Sequence, residues 1–373
     1  MRTVVDAKGF YEALKKASTA TARTKFCDPM EQVCVAVKSG VCRLTGTDLS
    51  VWVSATMPSQ GEDLSFVFEN TKQVLRVCKH FSGALELDLT FLERPTGKKD
   101  MKIVFSCGER MASFRVFEDQ GVHELPQIEE SVQVYRVNAP DLCRRIQRIR
   151  YAASKTEDRP GTSGVRFRKN QVWCIDGLRM AVNESESLAV SDPFILPMSV
   201  LIHLKECVQT AAELSVGKKY AAFTAHDITL ICRVLTANDT VTPESAIPAN
   251  LPATCQINRA QFLNELKYLR ECVGSASKSP VLFDGGKLFV FDNSSMFQTV
   301  VDVNGKCSDQ YALDLRYITE ALCQFVDREY VTLRSGGKRS PVVIAAGGAD
   351  TALIMPVRAE KSWGKLEMLE NAA

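Results

Sequence analysis

The sequence predicts an α+β protein built from three repeats of one domain-sized unit. A strand-like run ending in a carboxylate occurs three times, as Val41-Cys42-Arg43-Leu44-Thr45-Gly46-Thr47-Asp48, Val172-Trp173-Cys174-Ile175-Asp176 and Leu288-Phe289-Val290-Phe291-Asp292. From Asp48 to Asp176 is 128 residues and from Asp176 to Asp292 is 116, each close to a third of the 373-residue chain. Each third also holds two segments of helical apolar spacing among short alternating runs. A repeat of this length predicts a quasi-symmetric chain of similar domains rather than a compact, pocketed enzyme. The boundaries fall at 1–126, 127–250 and 251–358, with a tail over 359–373.

In the first third, Phe10, Leu14 and Ala17 recur at helical spacing, with Lys8, Lys15 and Lys16 among the polar positions. Alternation over Val33 to Val37, and again from Leu44 to Val53, predicts strands. Asn70 to Phe81 reads as a second helix, with Val74, Leu75, Cys78 and Phe81 inward and Lys72, Arg76 and Lys79 on another face. Strands follow over Leu85 to Leu89, Lys102 to Phe105 and Ser113 to Val116, with a hairpin tip at Pro95 to Asp100.

The middle third repeats the order. Leu142, Ile146 and Ile149 form a helical stripe, with Arg144, Arg145 and Arg148 at polar positions. Strands are predicted over Gly164 to Phe167 and Gln171 to Ile175. A helix starts near Pro197, a good first-turn residue, with Val200, Leu201, Leu204 and Val208 inward. Strands over Tyr220 to Thr224 and Ile228 to Val234 close it. The last third begins after the Pro-rich stretch from Pro243 to Pro252. It has a helix carrying Phe262, Leu263, Leu266 and Leu269, strands over Pro280 to Phe283 and Lys287 to Phe291, and a helix marked by Leu315, Ile318, Leu322 and Phe325. Three strands end it, at Val331 to Leu333, Val342 to Ile344 and Ala352 to Met355. Helix-on-sheet packing leaves sheet edges able to pair with a neighbouring domain.

Composition is that of a soluble globular protein, at 45% hydrophobic and 24% charged residues. No apolar run approaches the ~20 residues that span a bilayer, and the N-terminus lacks a signal-peptide core and reads as a strand. Thirteen cysteines, none in a Cys-x-x-Cys pair, read as small buried hydrophobes in a reducing cytoplasm, with Cys78, Cys174, Cys207, Cys232 and Cys323 at apolar positions. The net charge of +2 argues against a strongly cationic nucleic-acid binder but allows charge sorted between faces. Five of the six helices carry Lys or Arg opposite the apolar stripe; the second helix of the middle third offers only His203 and Lys205. On any single helix this is an ordinary solvated face. Repeated over three domains, the cations sum to a lining suited to phosphates, sequence-blind and salt-sensitive.

Four segments make a resemblance specific. Leu44-Thr45-Gly46-Thr47-Asp48-Leu49, Arg159-Pro160 followed by Gly164-Val165-Arg166-Phe167, Ile175-Asp176-Gly177-Leu178-Arg179-Met180, and Ser340-Pro341-Val342-Val343-Ile344 with Leu353-Ile354-Met355-Pro356-Val357-Arg358 resemble, in order, signatures of the bacterial replicative sliding clamp, the beta subunit of DNA polymerase III. The resemblance spans nearly the whole chain. It implies three DNA-clamp domains, each with two helices packed on antiparallel sheets, forming half of a six-domain ring. Two chains would join head to tail, through strand edges near Ser113 to Val116 and the segment after Cys272-Val273. The ring would encircle duplex DNA and tether a polymerase by raising its effective concentration. Arg23, Lys72, Arg76, Lys79, Arg144, Arg145 and Arg148 become the candidate phosphate contacts.

The resemblance also implies a site for short peptides of DNA polymerase subunits, the clamp loader and repair proteins. Its residues here are Arg159, Thr162, Ile175, Gly177, Leu178, Arg179, Met180, Pro243, Ile247, Ser340, Leu353, Ile354, Met355, Pro356, Val357 and Arg358. The alternative is that they pack a domain junction. This chain departs from the family at Leu178, where the family usually has His, at Ile175, where it has Thr, and in a shorter segment after Pro243. It also continues past Arg358, and Lys365-Leu366-Glu367-Met368-Leu369 resembles a degenerate clamp-binding peptide that would shield the site. No cofactor, metal or catalytic residue is implied. His80, His123, His203 and His226 lie far apart, in no metal or triad spacing, and His226-Asp227 reads as a turn. A specialised clamp paralogue with one dedicated partner, and a monomeric scaffold, are the alternative functions.

Overall fold

The computed structural model describes residues 1–22, 28–93, 99–129, 133–154, 160–236, 241–274, 279–292, 295–306, 310–360 and 362–365. The helices are α1 (Ala7–Ser18), α2 (Thr71–Cys78), α3 (Ala139–Ile149), the single turn α4 (Pro160–Ser163), α5 (Val200–Cys207), the single turn α6 (Pro243–Ala246), α7 (Arg259–Val273) and α8 (Leu315–Leu322). The chain divides into two compact units, Met1–Cys143 with Ser199–Leu235, and Arg144–Met198 with Thr236–Ala373. Residues 127–250 contribute to both.

One local device recurs. A strand ends on Asp or Asn, whose side chain accepts an N–H of the helix that follows and so satisfies a donor the helix cannot bond internally. Asp6 accepts from Gly9 (2.7 Å) before α1, Asn138 from Asp141 (3.0 Å) before α3, and Asn258 from Gln261 (3.1 Å) before α7. Asn70 and Asp314 cap α2 and α8 in the same manner.

The first unit is built on a thirteen-stranded antiparallel sheet in the order Gln133–Asn138, Ala211–Val216, Tyr220–Ala225, Ile228–Arg233, Val51–Pro58, Val41–Thr47, Cys34–Lys38, Leu64–Phe68, Arg110–Phe117, Lys99–Cys107, Ala84–Glu93, Arg2–Asp6 and Gln60–Gly61. Its core includes Phe10, Phe68, Phe105 and Phe114 in edge-on ring contacts, with Phe10 and Phe105 centroids 5.6 Å apart. Gly46 is buried against α1, and a Cβ there would stand 2.1 Å from the Ala17 carbonyl oxygen. Helix backbone thus rests on strand backbone. The strand Arg110–Phe117 pairs along its length with Lys99–Cys107, but with Leu64–Phe68 only at Val116 and Phe117. Much of one edge stays open, and Met111 on it is 74% exposed.

The second unit has a nine-stranded sheet, ordered Val190–Pro197, Gly164–Lys169, Gln171–Ile175, Arg179–Glu184, Asp350–Ile354, Val342–Ala345, Tyr330–Ser335, Ala253–Asn258 and Val303–Lys306. A four-stranded sheet is ordered Ser295–Val300, Lys287–Asp292, Pro280–Asp284 and Tyr311–Asp314. Phe262, Leu266, Ile318 and Leu322 of α7 and α8 share a core with Phe283, Val290, Leu333 and Ile354 from both sheets. The strand Ser295–Val300 ends the small sheet with exposed Met296 and Val300. A second cluster joins Leu282, Phe289 and Ala312 to Ala359 and Trp363, so the chain beyond Arg358 packs on the small sheet.

Several expectations are corrected. The run from Leu44 to Val53 is two strands joined by a turn, because Asp48 accepts the N–H groups of Ser50 and Val51 and Leu49 takes a φ of 66°. Pro197 ends a strand, and α5 begins three residues later. Eleven cysteines fall among the described residues, nine of them buried, but Cys323 is exposed at the C-cap of α8. His203 is buried, its Nδ1 3.2 Å from Thr19 Oγ1, and is not a polar-face residue. The hairpin tip at 95–98 lies outside the described residues. His226 and Asp227 do form a turn.

Candidate functional site

Alternation of side chains across the nine-stranded sheet gathers an apolar patch on one face. Trp173 and Ile175 come from one strand, Met180 and Val182 from the next, then Leu353 and Val343. The register places Ile175 beside Met180, Met180 beside Leu353, and Leu353 beside Val343. Ala246, Ile247 and Leu251 pack against this patch. Thr242 and Ser245 hold them there by a reciprocal cap, each side-chain oxygen accepting the other's N–H at 3.3 and 3.0 Å, with Pro243 opening the turn. The indole N–H of Trp173 is buried without an acceptor among the described residues.

The loop from Asp176 to Arg179 shapes one side of this patch. Asp176 Oδ1 accepts from the N–H groups of Leu178 and Arg179, each at 3.0 Å. Gly177 supplies a φ of 90°, which non-glycine residues rarely adopt. The turn leaves Leu178 51% exposed, and its carbonyl accepts from Met355 N–H at 2.8 Å. Met355 is itself 36% exposed. Two large apolar side chains on hydrogen-bonded residues therefore face solvent, an arrangement suited to apolar anchors of an extended peptide.

Arg179 points the other way. It is buried, bonds Asp176 Oδ2 at 2.9 Å and Glu320, and stacks on Tyr317. Burial works against its charge, but the bonds to Glu320 and Asp176 prevail and hold its pKa above the ordinary value. Ile354 likewise projects into the core beneath α7 and α8. Val357 packs on the Leu282 and Trp363 cluster, with its N–H bonded to the Ala312 carbonyl at 2.8 Å. These three expected wall residues thus do not join the patch; strand alternation sends Arg179 and Ile354 to the opposite face. Thr162 sits half-buried in α4, Ser340 and Pro356 are half-buried, and Arg358 is exposed. Arg159 lies outside the described residues. Sequence reasoning passed over Trp173, Val182 and Val343, which the two-residue period from Ile175, Met180 and Leu353 would have found.

The candidate phosphate contacts separate into two kinds. Lys72, Arg76 and Lys79 are exposed along α2 and have no ion-pair partner among the described residues. Arg144 is exposed on α3. Arg145 is instead buried, its Nε donating to Asn183 Oδ1 at 2.7 Å, because its place on α3 faces the neighbouring strand. Arg148 is tied to Asp350 and Asp327, each at 2.6 Å. The bond to Asp350, against burial and with help from Asp327, holds its pKa above the ordinary value. Arg23 lies outside the described residues.

This architecture is the fold of solved DNA sliding clamps, the beta subunits of bacterial DNA polymerase III. The fold superposes on the beta subunit of Thermotoga maritima with a TM-score of 0.79 at 18% identity, covering 96% of this chain and 99% of that one. The Bacillus subtilis sliding clamp gives 0.80 at 16% identity over 96% and 99%, and the beta subunit of Streptococcus pyogenes 0.80 at 15% over 96% and 100%. No family model matches the sequence, and no curated protein matches it. At these identities the likeness is one of fold.

Proposed function

We propose that this chain is a sliding clamp, a processivity factor with no catalytic site of its own. Two copies close head to tail into a ring around duplex DNA, and the ring tethers DNA polymerase subunits, the clamp loader and repair proteins through short peptides. The agreement in fold over 96% of the chain carries the reading. Other observations support it. Each unit leaves a strand edge open with exposed apolar side chains, Met111 on one and Met296 and Val300 on the other, as edge-to-edge association requires. Lys72, Arg76, Lys79 and Arg144 supply sequence-blind attraction to phosphates. The peptide would meet the exposed Leu178 and Met355 at the margin of the patch of Ile175, Met180, Ile247 and Leu353, of which Met180 and Leu353 are buried. Three domains over 1–126, 127–250 and 251–358 and a cytoplasmic location belong to the same reading; among the described residues no helix is long and apolar enough to cross a membrane.

Retention on DNA after loader treatment tests it. Loss from linear DNA but not from closed circles is expected; equal loss from both sinks the ring. A second reading, a paralogue devoted to one partner, is favoured by apolar Leu178 and Ile175 at the peptide site. It predicts that polymerase and loader peptides from a general panel do not bind. The described part of the tail, to Lys365, packs on the small sheet and not on the patch; the peptide-like segment beyond it lies outside the described residues.

A further inference from the structure

The first unit brings together three side chains that are far apart in sequence. Cys34 begins an inner strand of the large sheet, and Asp119 and His123 lie on the chain just after the strand Arg110–Phe117. One ligand atom from each, a sulfur, an oxygen and a nitrogen, falls within 4.8 Å of the others. Cys34 and His123 are buried, at 5% and 4% exposure, and Asp119 is half-buried.

The hydrogen bonding at His123 is the informative part. Its Nε2 lies 3.2 Å from the carbonyl oxygen of Gln32, which can only accept. Nε2 therefore carries the proton. Nδ1 then faces Asp119 Oδ1 at 3.0 Å. With Nε2 donating to Gln32, Nδ1 is the ring's remaining ligand atom, and it lies toward the Asp119 carboxylate and the Cys34 sulfur. A ligating histidine that donates its other N–H to a backbone carbonyl is a standard outer-shell arrangement, since it fixes the tautomer and aims the lone pair. The Cys34 sulfur is the third donor.

We propose that Cys34, Asp119 and His123 bind a zinc-type divalent cation. One sulfur, one nitrogen and one oxygen donor match the borderline character of Zn2+. Metal–ligand lengths of about 2.0–2.3 Å set tetrahedral donors roughly 3.3–3.6 Å apart, within reach of the observed spacing by small side-chain shifts. Burial and the Asp119 charge push the Cys34 thiol up to about 12, so the sulfur is protonated without metal. On binding, the ion takes the place of the thiol proton, which leaves to solvent. Ser65, an exposed residue, hydrogen-bonds the Cys34 sulfur. The ion would fasten the segment after the strand Arg110–Phe117 to the start of the strand Cys34–Lys38. Gln32, whose carbonyl holds His123, also accepts through Oε1 from the N–H of Thr71 at 2.7 Å.

Co2+ tests this, because a thiolate bound to cobalt gives a near-ultraviolet charge-transfer band that nitrogen and oxygen ligands do not. Reduced full-length protein is titrated with Co2+ and then with Zn2+. A single equivalent per chain should develop the band and Zn2+ should remove it. Cys34→Ser should lose the band with unchanged far-ultraviolet circular dichroism, and Asp119→Asn should weaken Co2+ binding at least about tenfold. If Cys34→Ser misfolds, Asp119→Asn decides alone. No band in the unmodified protein, a band that survives Cys34→Ser, or undiminished affinity in Asp119→Asn overturns the site.

Discussion

The guanidinium carbon of Arg179 sits 4.1 Å from the centroid of the Tyr317 ring, while the same group binds Asp176 and Glu320. The loop that presents Leu178 is thereby joined to α8. Removing Arg179 leaves half-buried Asp176 without its counter-charge, so Arg179→Ala should cost about 2 kcal/mol. Arg179→Lys should recover only part of this, since an ammonium lacks the planar fork and the stacking surface. Urea unfolding of both variants checks the order.

Charge removal on α2 and on α3 should act differently. Lys72→Ala, Arg76→Ala and Lys79→Ala together touch only solvated side chains and should shift stability by less than about 0.5 kcal/mol each. The triple variant should lower the salt sensitivity of DNA association, read as the slope of log affinity against log salt. Arg148→Ala, which frees Asp350 and Asp327, should lower the urea midpoint. A triple variant with an unchanged salt slope would remove α2 from the DNA-facing surface.

Met111 is 74% exposed on an open strand edge. Met111→Asp should therefore leave monomer stability nearly unchanged while placing a charge in any edge-to-edge junction. Sedimentation at micromolar concentration should show the unmodified chain as a dimer and the variant as a monomer. A dimer unaffected by the change would move the junction elsewhere.

Buried thiols make stability fall in alkali. Burial pushes Cys42 and Cys232 from the ordinary 9.0 up to about 12. Below pH 9 the thiol is protonated in both states and its contribution is intact. Between 9 and about 12 the unfolded chain releases protons that the folded chain retains, so stability is lost as pH rises. Urea midpoints at about pH 8 and about pH 10 should show this fall, and Cys42→Ala with Cys232→Ala should flatten it. Peptide mapping after alkylation of native protein should find Cys323 modified and the nine buried cysteines protected.

Much of the fold was legible in the sequence because apolar periodicity follows burial directly. Phe10, Leu14 and Ala17, or Phe262, Leu266 and Leu269, face a core wherever the helix is placed. Local competition was harder to see. Asp48 broke a run of β-forming residues by bonding the next backbone groups, and Pro197 fitted a strand end as well as a helix start. The candidate site was half legible. The resemblance grouped Ile175, Met180 and Leu353, which share one face of the sheet, with Arg179 and Ile354, which strand phase sends to the other face. Arg145 shows the same limit on a helix: its angular position looks polar, yet Asn183 lies opposite. The meeting of Cys34 with His123 depends on sheet order, which no local pattern encodes.

Gly46 leaves α1 no cushion of side chains on the strand beneath it. At this point the helix lies backbone to backbone on the strand, and its roll is held there and by the Phe10 and Leu14 side chains in the core. A single added methyl group at position 46 would strike the Ala17 carbonyl and lift the helix, and with it the face that carries Lys8 and Lys15.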